Sequence, residues 1–276
     1  VEPYHAIGAE LDIPGEEVME RIQKLRRRNV IRQISGIFDT RRLGYRTSLV
    51  AFSLPPEGLH KGALFINRHP GVSHNYAREG HSYNLWFTLA VPPEESLEGA
   101  VAWMAERTGA IACRLLPTIR FFKIGVNFDM VGEKGAAFDY SPDGYQKNGS
   151  VSTDWNKAVA LSDSDISAIR ELQEDMFMET RPFDAMAARL GLSNQELFDL
   201  AEEFQKRGIM RRFSAVLHHR KAGFRSNAMA VWKVPKDRAD EVGLKMAESP
   251  WVTHCYERPT FSDWYVTRPS GESTRT

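Results

Sequence analysis

Two histidines, His74 and His254, stand in matching surroundings: Tyr76 and Arg78 follow the first as Tyr256 and Arg258 follow the second, at alternate positions. An imidazole titrates near neutrality, so it can give up a proton and be recharged by solvent at working pH. A guanidinium fork engages carboxylates bidentately, and a phenol ring offers a flat surface beside it. Alternate residues of a strand share one face, so a strand at either place would present all three groups together. Such a set suits a flat ligand carrying several carboxylates. Taken singly, a strand histidine is ordinarily a hydrogen-bonded structural residue, and a lone arginine an ordinary surface ion pair. Recurrence makes the set a candidate site. Arg46 and Arg225 recur in register as further cations, whereas Trp86 either stacks on the ligand or fills a core, the core being its more usual role. His81 is weaker because Phe261 takes its place in the second set, and His5, His60 and His69 read as surface or helix-end residues.

These residues belong to an internal duplication, which must be recognised before any fold is assigned. LDIPGEEVMERIQKLRRRNVIRQISGIFDTRRLGYRTS, from Leu11, aligns without gaps on LGLSNQELFDLAEEFQKRGIMRRFSAVLHHRKAGFRSN, from Leu190. Gly44 then matches Gly223, Tyr45 matches Phe224 and Arg46 matches Arg225. After one inserted residue, HPGVSHNYAR from His69 meets SPWVTHCYER from Ser249. Between the copies, residues 131–162 are rich in Gly, Ser, Asp and Asn without apolar periodicity, the pattern of a linker.

Each copy reads as two modules. Val18, Ile22 and Leu25 recur at helical spacing between Pro14 and Asn29, and β-rich runs such as VIRQISGIF follow, a winged helix-turn-helix pattern. The helix preceding it is complete in the second copy, from Asp163 to about Phe177. Next come SLVAFSLP, a helix from Gly58 to Asn67, VSHNYA, YNLWFTLAVP, a helix from Glu94 to Glu106, and RFFKIGV, the βαββαβ order of a ferredoxin-like sandwich. The expected α+β architecture is a tandem repeat: residues 1–45 a first winged helix-turn-helix, 46–130 a first sandwich, 163–224 and 225–276 their counterparts. The last sandwich reads as incomplete, because RPSGESTRT stands where an apolar strand and helix are due.

This module order resembles the leucine-responsive (Lrp/AsnC) regulators. More specifically, HNYAREGHSYNLWFTL from His74, HCYERP from His254 and RRFSAVLHHRKAGFRSNAMAVWKVP from Arg211 resemble the two halves of siroheme decarboxylases. That resemblance implies removal of carboxyl groups from two acetate side chains of siroheme, giving didecarboxysiroheme on the way to haem d1 or haem. It also implies no cofactor beyond the iron that the substrate carries. On this reading His74 and His254 are the acids that protonate the substrate as carbon dioxide leaves. His219, beside His218, is a third acid or an iron ligand. Arg78, Arg258, Arg46 and Arg225 hold carboxylates; Tyr76, Tyr256 and Trp86 flank the macrocycle. Cys255 invites an iron-thiolate reading, but Asn75 replaces it in the first copy, so a small buried residue is the simpler assignment.

Composition narrows the alternatives. The 276 residues are 42% hydrophobic, with 36 Lys and Arg against 36 Asp and Glu. The neutral balance lacks the basic excess that phosphate binding needs. The second helix-turn-helix carries Glu196, Asp199, Glu202 and Glu203 where a DNA reader presents cations or amides. Arg26, Arg27 and Arg28 in the first copy can touch phosphate or simply close a solvated helix end. A DNA-binding regulator and a non-catalytic tetrapyrrole sensor therefore stand behind the enzyme. Only Cys113 and Cys255 are present, without metal or disulfide spacing, and no apolar run is long enough to span a bilayer. A cytoplasmic protein is expected, its copies paired as a pseudo-dimer within one chain and open to further homodimerisation. The chain opens on Val1 rather than Met, so a preceding segment is expected.

Overall fold

The structure, a computed structural model, describes residues 1–124, 157–218, 220–223 and 228–261. His219 and Arg225 lie outside these residues, as does most of the expected linker. The chain divides into two compact units, Val1–Leu43 with Ala158–Trp232 and Gly44–Lys157 with Lys233–Thr276. Both helix-turn-helix halves thus share one unit, and the halves that follow them share the other.

In the first unit α1 (Pro3–Leu11), α2 (Gly15–Arg27) and β1 (Ile31–Phe38) form the first copy. The duplication is faithful at the level of elements: α2 aligns on Asn194–Lys206 and β1 on Met210–Leu217 without a residue of offset between them. Local chemistry explains the second-copy boundaries. Ser162 and Ser193 each cap a helix reciprocally with an acidic side chain three residues on, Asp165 and Glu196. Gly191, at φ +69°, closes the helix between them in a left-handed conformation that side chains resist. The strands do not form a wing within either copy. β1 instead pairs antiparallel with the Met210–Leu217 strand, with Ile34 opposite Ala215 and Ser35 opposite Ser214. Two apolar clusters fill the unit, one around Phe204, Ile209 and Met186, the other around Tyr4, Val18 and Ile34. Leu161 packs on the former and the Val159 N–H donates to the Arg42 carbonyl at 2.9 Å, so the end of the segment expected to be a linker is folded structure.

The second unit contains β2 (Arg46–Ser53), α3 (Leu59–Ile66), β3 (Val72–Ala77), β4 (Leu85–Val91), α4 (Leu97–Thr108), β5 (Ala112–Leu116) and β6 (Arg120–Ile124). The sheet order β3-β4-β2-β5 is the ferredoxin-like one. Its last strand is Ala112–Leu116, not the RFFKIGV run that the sequence suggested. That run, as β6, leaves the sheet and pairs with the second copy instead. The second-copy elements are α5 (Asp163–Gln173), α6 (Phe183–Leu190), α7 (Asn194–Lys206), β7 (Met210–Leu217), α8 (Ala239–Ala247) and β8 (His254–Glu257). β8 pairs antiparallel with β6, Tyr256 opposite Phe121. Residues 228–232, the described part of the counterpart of β2, are not a strand, and Met229, Val231 and Trp232 are exposed.

Helices α3 and α4 cover one face of the four-stranded sheet. Val50, Phe52, Phe87, Leu89 and Val91 are buried there against Ile66, Val101 and Met104. At roughly 25 cal/mol per Å² of apolar area, that cluster is the main support of the sheet. The alternate residues of the same strands therefore project from the other face.

Candidate active site

His74 and Tyr76 lie on that other face, at the β3 edge. Their register partners on β4 are Thr88 and Trp86, and on β2 these meet Leu49 and Ala51. The His74 and Tyr76 rings are 6.2 Å apart, and the Arg78 guanidinium stands over the Tyr76 ring at 5.2 Å. The second copy repeats the arrangement. His254 and Tyr256 are 6.0 Å apart with nearly the same tilt, and Arg258 stands 5.0 Å over the Tyr256 ring. Both histidines are exposed.

What holds each strand is also repeated. Asn75, pointing the other way, donates to the Ala63 carbonyl on α3 at 3.0 Å. Cys255, its counterpart, donates to the Gly243 carbonyl on α8 at 3.7 Å. Ala63 and Gly243 are themselves register partners in the duplication. Cys255 therefore anchors a helix from the side opposite His254, which agrees with a small packed residue rather than an iron ligand. Burial pushes its thiol upward in pKa, with Lys123 acting in the opposite direction. Burial likewise lowers Lys123, whose ammonium closes α8 by donating to the Ala247 and Ser249 carbonyls.

The remaining predicted residues divide. Trp86 is only 7% exposed and donates to the Tyr83 carbonyl at 2.7 Å, within a cluster of Ala51, Tyr83 and Leu116. It is the floor under Tyr76. Arg46 pairs with Val91 and so belongs to the helix-covered face; it donates to the carbonyls of Pro93 and Glu95 at 3.0 and 2.5 Å. The sheet does not bring it to the histidine. Arg258 donates to the Leu116 carbonyl, and burial lowers its pKa while Tyr256 favours its charge. His81 is closer to the site than expected: its ring meets Trp86 edge-on at 6.0 Å, and its Nδ1 accepts the Tyr83 N–H.

Arg114 went unread in the sequence. It shares the Tyr76, Trp86 and Ala51 row, since it pairs with Ala51 across β5. Its guanidinium lies between the Tyr83 and Phe261 rings, at 5.6 and 5.3 Å. Its strand shows no alternation, so no local pattern marked it. The open face of the four-stranded sheet thus carries one His–Tyr–Arg stack with an additional cation among aromatic rings, and the β6–β8 ladder of the same unit carries the second stack. That is an arrangement for a flat anionic ligand with a proton donor beside it.

In the other unit, Glu196, Asp199, Glu202 and Glu203 are all exposed on α7, an acidic face. Arg26 is committed to Asp175 at 2.7 Å and to the Met176 carbonyl.

Comparison with known proteins agrees with both units. A family model described as an AsnC-like ligand binding domain matches residues 42–123 and 221–267, and one described as a siroheme decarboxylase NirDL-like HTH domain matches 1–32 and 165–211. The chain is 40% identical to a siroheme decarboxylase of Hydrogenobacter thermophilus over 94% of its length and 74% of that relative. It is 30% identical to a siroheme decarboxylase NirDL subunit of Paracoccus pantotrophus, with the same two coverages, 94% and 74%. Among solved structures, the siroheme decarboxylase NirDL in co-complex with an iron-uroporphyrin III analogue superposes with a TM-score of 0.66 at 32% identity, covering 95% of this chain and 73% of that one.

Proposed function

Because the chain belongs to the siroheme decarboxylase family, we propose that it removes the carboxyl groups of two acetate side chains of siroheme, giving didecarboxysiroheme. The observation that carries this reading is the His–Tyr–Arg stack, built twice with nearly the same spacings on two strands. Siroheme is flat and rich in carboxylates. Arg78 and Arg258 engage carboxylates, Tyr76 and Tyr256 lie along the macrocycle edge, and Arg114 adds a third charge; Arg225 is a further candidate outside the described residues. As the bond to the carboxylate breaks, its electron pair stays on the side-chain carbon. That carbon takes the proton of the histidinium, so the acetate becomes a methyl group, carbon dioxide departs, and solvent recharges the imidazole. His74 and His254 fill this role, with His219 as a third candidate. The reaction is redox-neutral and calls on no cofactor beyond the iron in the substrate. Trp86 serves as floor, not as a stacking surface, and Arg46 as a loop clamp.

The acidic, exposed face of α7 disfavours a DNA-reading role, since a phosphate backbone would be repelled. Anaerobic incubation with siroheme, followed by product mass, tests the proposal. Loss of two carbon dioxide masses is expected from the unaltered chain. His74→Ala or His254→Ala should abolish the loss or stop it at one. Tight binding of siroheme with no mass change would replace the enzyme by a tetrapyrrole sensor.

A further inference from the structure

Each candidate acid has a hydroxyl neighbour that the repeat also preserves. The Ser73 Oγ lies 3.0 Å from Nδ1 of His74, and the Thr253 Oγ1 lies 3.0 Å from Nδ1 of His254. Consecutive strand residues normally point to opposite faces, which would part Ser73 from His74. A bulge prevents this: the β3–β4 register steps from Val72 opposite Leu89 to His74 opposite Thr88, leaving Ser73 as an extra residue. Such insertions re-aim side chains. Ser73 consequently also reaches Thr88 Oγ1, at 2.8 Å.

We infer that Ser73 and Thr253 are positioning residues, whose hydroxyls accept the Nδ1 proton of the adjacent histidine and leave Nε2 as the nitrogen that exchanges a proton with substrate. The inference rests on the decarboxylase reading for its consequence, though not for its geometry. In the first copy the chain runs His74 Nδ1–H to Ser73 Oγ, and the Ser73 hydroxyl proton goes on to Thr88 Oγ1. This direction serves both states of the acid. The imidazolium has a proton on each nitrogen; when Nε2 gives its proton away, the neutral ring keeps Nδ1–H on the serine and need not turn. The reverse direction, serine donating to Nδ1, has to break each time the ring is charged.

The test uses Ser73→Ala, Ser73→Thr and Thr88→Val in the full chain, with ring ¹⁵N shifts of His74 recorded without substrate and siroheme turnover recorded alongside. Thr88→Val keeps the strand shape and frees the serine proton to point at Nδ1, so it guards against a simple folding defect. The wild-type ring is expected as the Nδ1–H tautomer when neutral. Ser73→Ala and Thr88→Val should move it toward Nε2–H, and Ser73→Thr should restore it. In turnover, Ser73→Ala should lower kcat by about tenfold, the factor carried by one hydrogen bond to a charged group, with KM within about twofold. Unchanged ring shifts, or a kcat equal to wild type in Ser73→Ala, would overturn the inference. Absence of turnover in the wild type would instead remove the decarboxylase reading, and the tautomer measurement alone would then decide the role of the hydroxyl.

Discussion

Asp39→Asn should cost the first unit about 2.5 kcal/mol at neutral pH. Asp39 follows β1 and is only 5% exposed. Its carboxylate takes two bonds from the Arg41 side chain, at 2.9 and 2.6 Å, and one from Arg211 of β7 at 2.6 Å. Burial alone would raise its pKa, but the Arg41 hydrogen bonds and the charges of Arg211 and Arg41 outweigh it and hold the group at about 2, against 3.8 when free. At about 1.4 kcal/mol per tenfold in proton affinity, the difference is worth about 2.5 kcal/mol. Since the folded value is the lower one, that stability is complete above pH 4 and disappears as pH falls through about 2. The asparagine variant also leaves two half-buried guanidinium groups facing each other, so the loss should not be smaller than this. Urea unfolding followed by helical circular dichroism, for both proteins from pH 7 down to pH 2, measures it. The gap between them should be widest at neutrality and close in acid. A gap under about 0.5 kcal/mol at pH 7, or one independent of pH, would refute the reasoning.

Arg78→Lys should raise the KM for siroheme by about tenfold while Arg46→Ala leaves it within about twofold, because only the first guanidinium stands on the histidine face; initial-rate kinetics on the two variants compare them. Trp86→Phe should lower stability by about 1 kcal/mol through the lost bond to the Tyr83 carbonyl, with KM unchanged, in a paired denaturation and kinetic measurement. A β-carbon at Gly243 would lie 2.4 Å from the Phe122 ring. Gly243→Ala should therefore destabilise the packing of α8 by roughly 1–3 kcal/mol in thermal melts, and Phe122→Leu added to it should recover part of the loss.

The duplication was legible because it is a statement about residue order alone, and it carried the histidine, tyrosine and arginine sets with it. Helix ends were legible to within a few residues, as at Asp163, the expected and observed start of α5, which the Ser162 cap fixes locally. Partnership between strands was not. β1 and β7 look like wing strands of separate modules, and β6 looks like the closing strand of the first sandwich, because alternation shows that a run is a strand without showing what it pairs with. Arg46 went astray for the same reason: recurrence marked it, but only the β2–β4 register reveals that it shares a face with Val91. Ser73 and Thr253 were readable, as two hydroxyls in register, although their purpose depends on a bulge that no local pattern announces.

The β1–β7 ladder also sets a schedule for synthesis. Ile31 meets Leu217, so the edge of β1 has no partner until roughly 190 more residues have left the ribosome. At about 5–20 residues per second, that is a wait of roughly 10 to 40 seconds with an unpaired, partly apolar strand edge in a crowded cell. Arg32 and Gln33 interrupt its apolar surface during that interval, and a nascent-chain chaperone that shields short strands would raise the yield of this protein more than that of a protein whose strands pair with their neighbours.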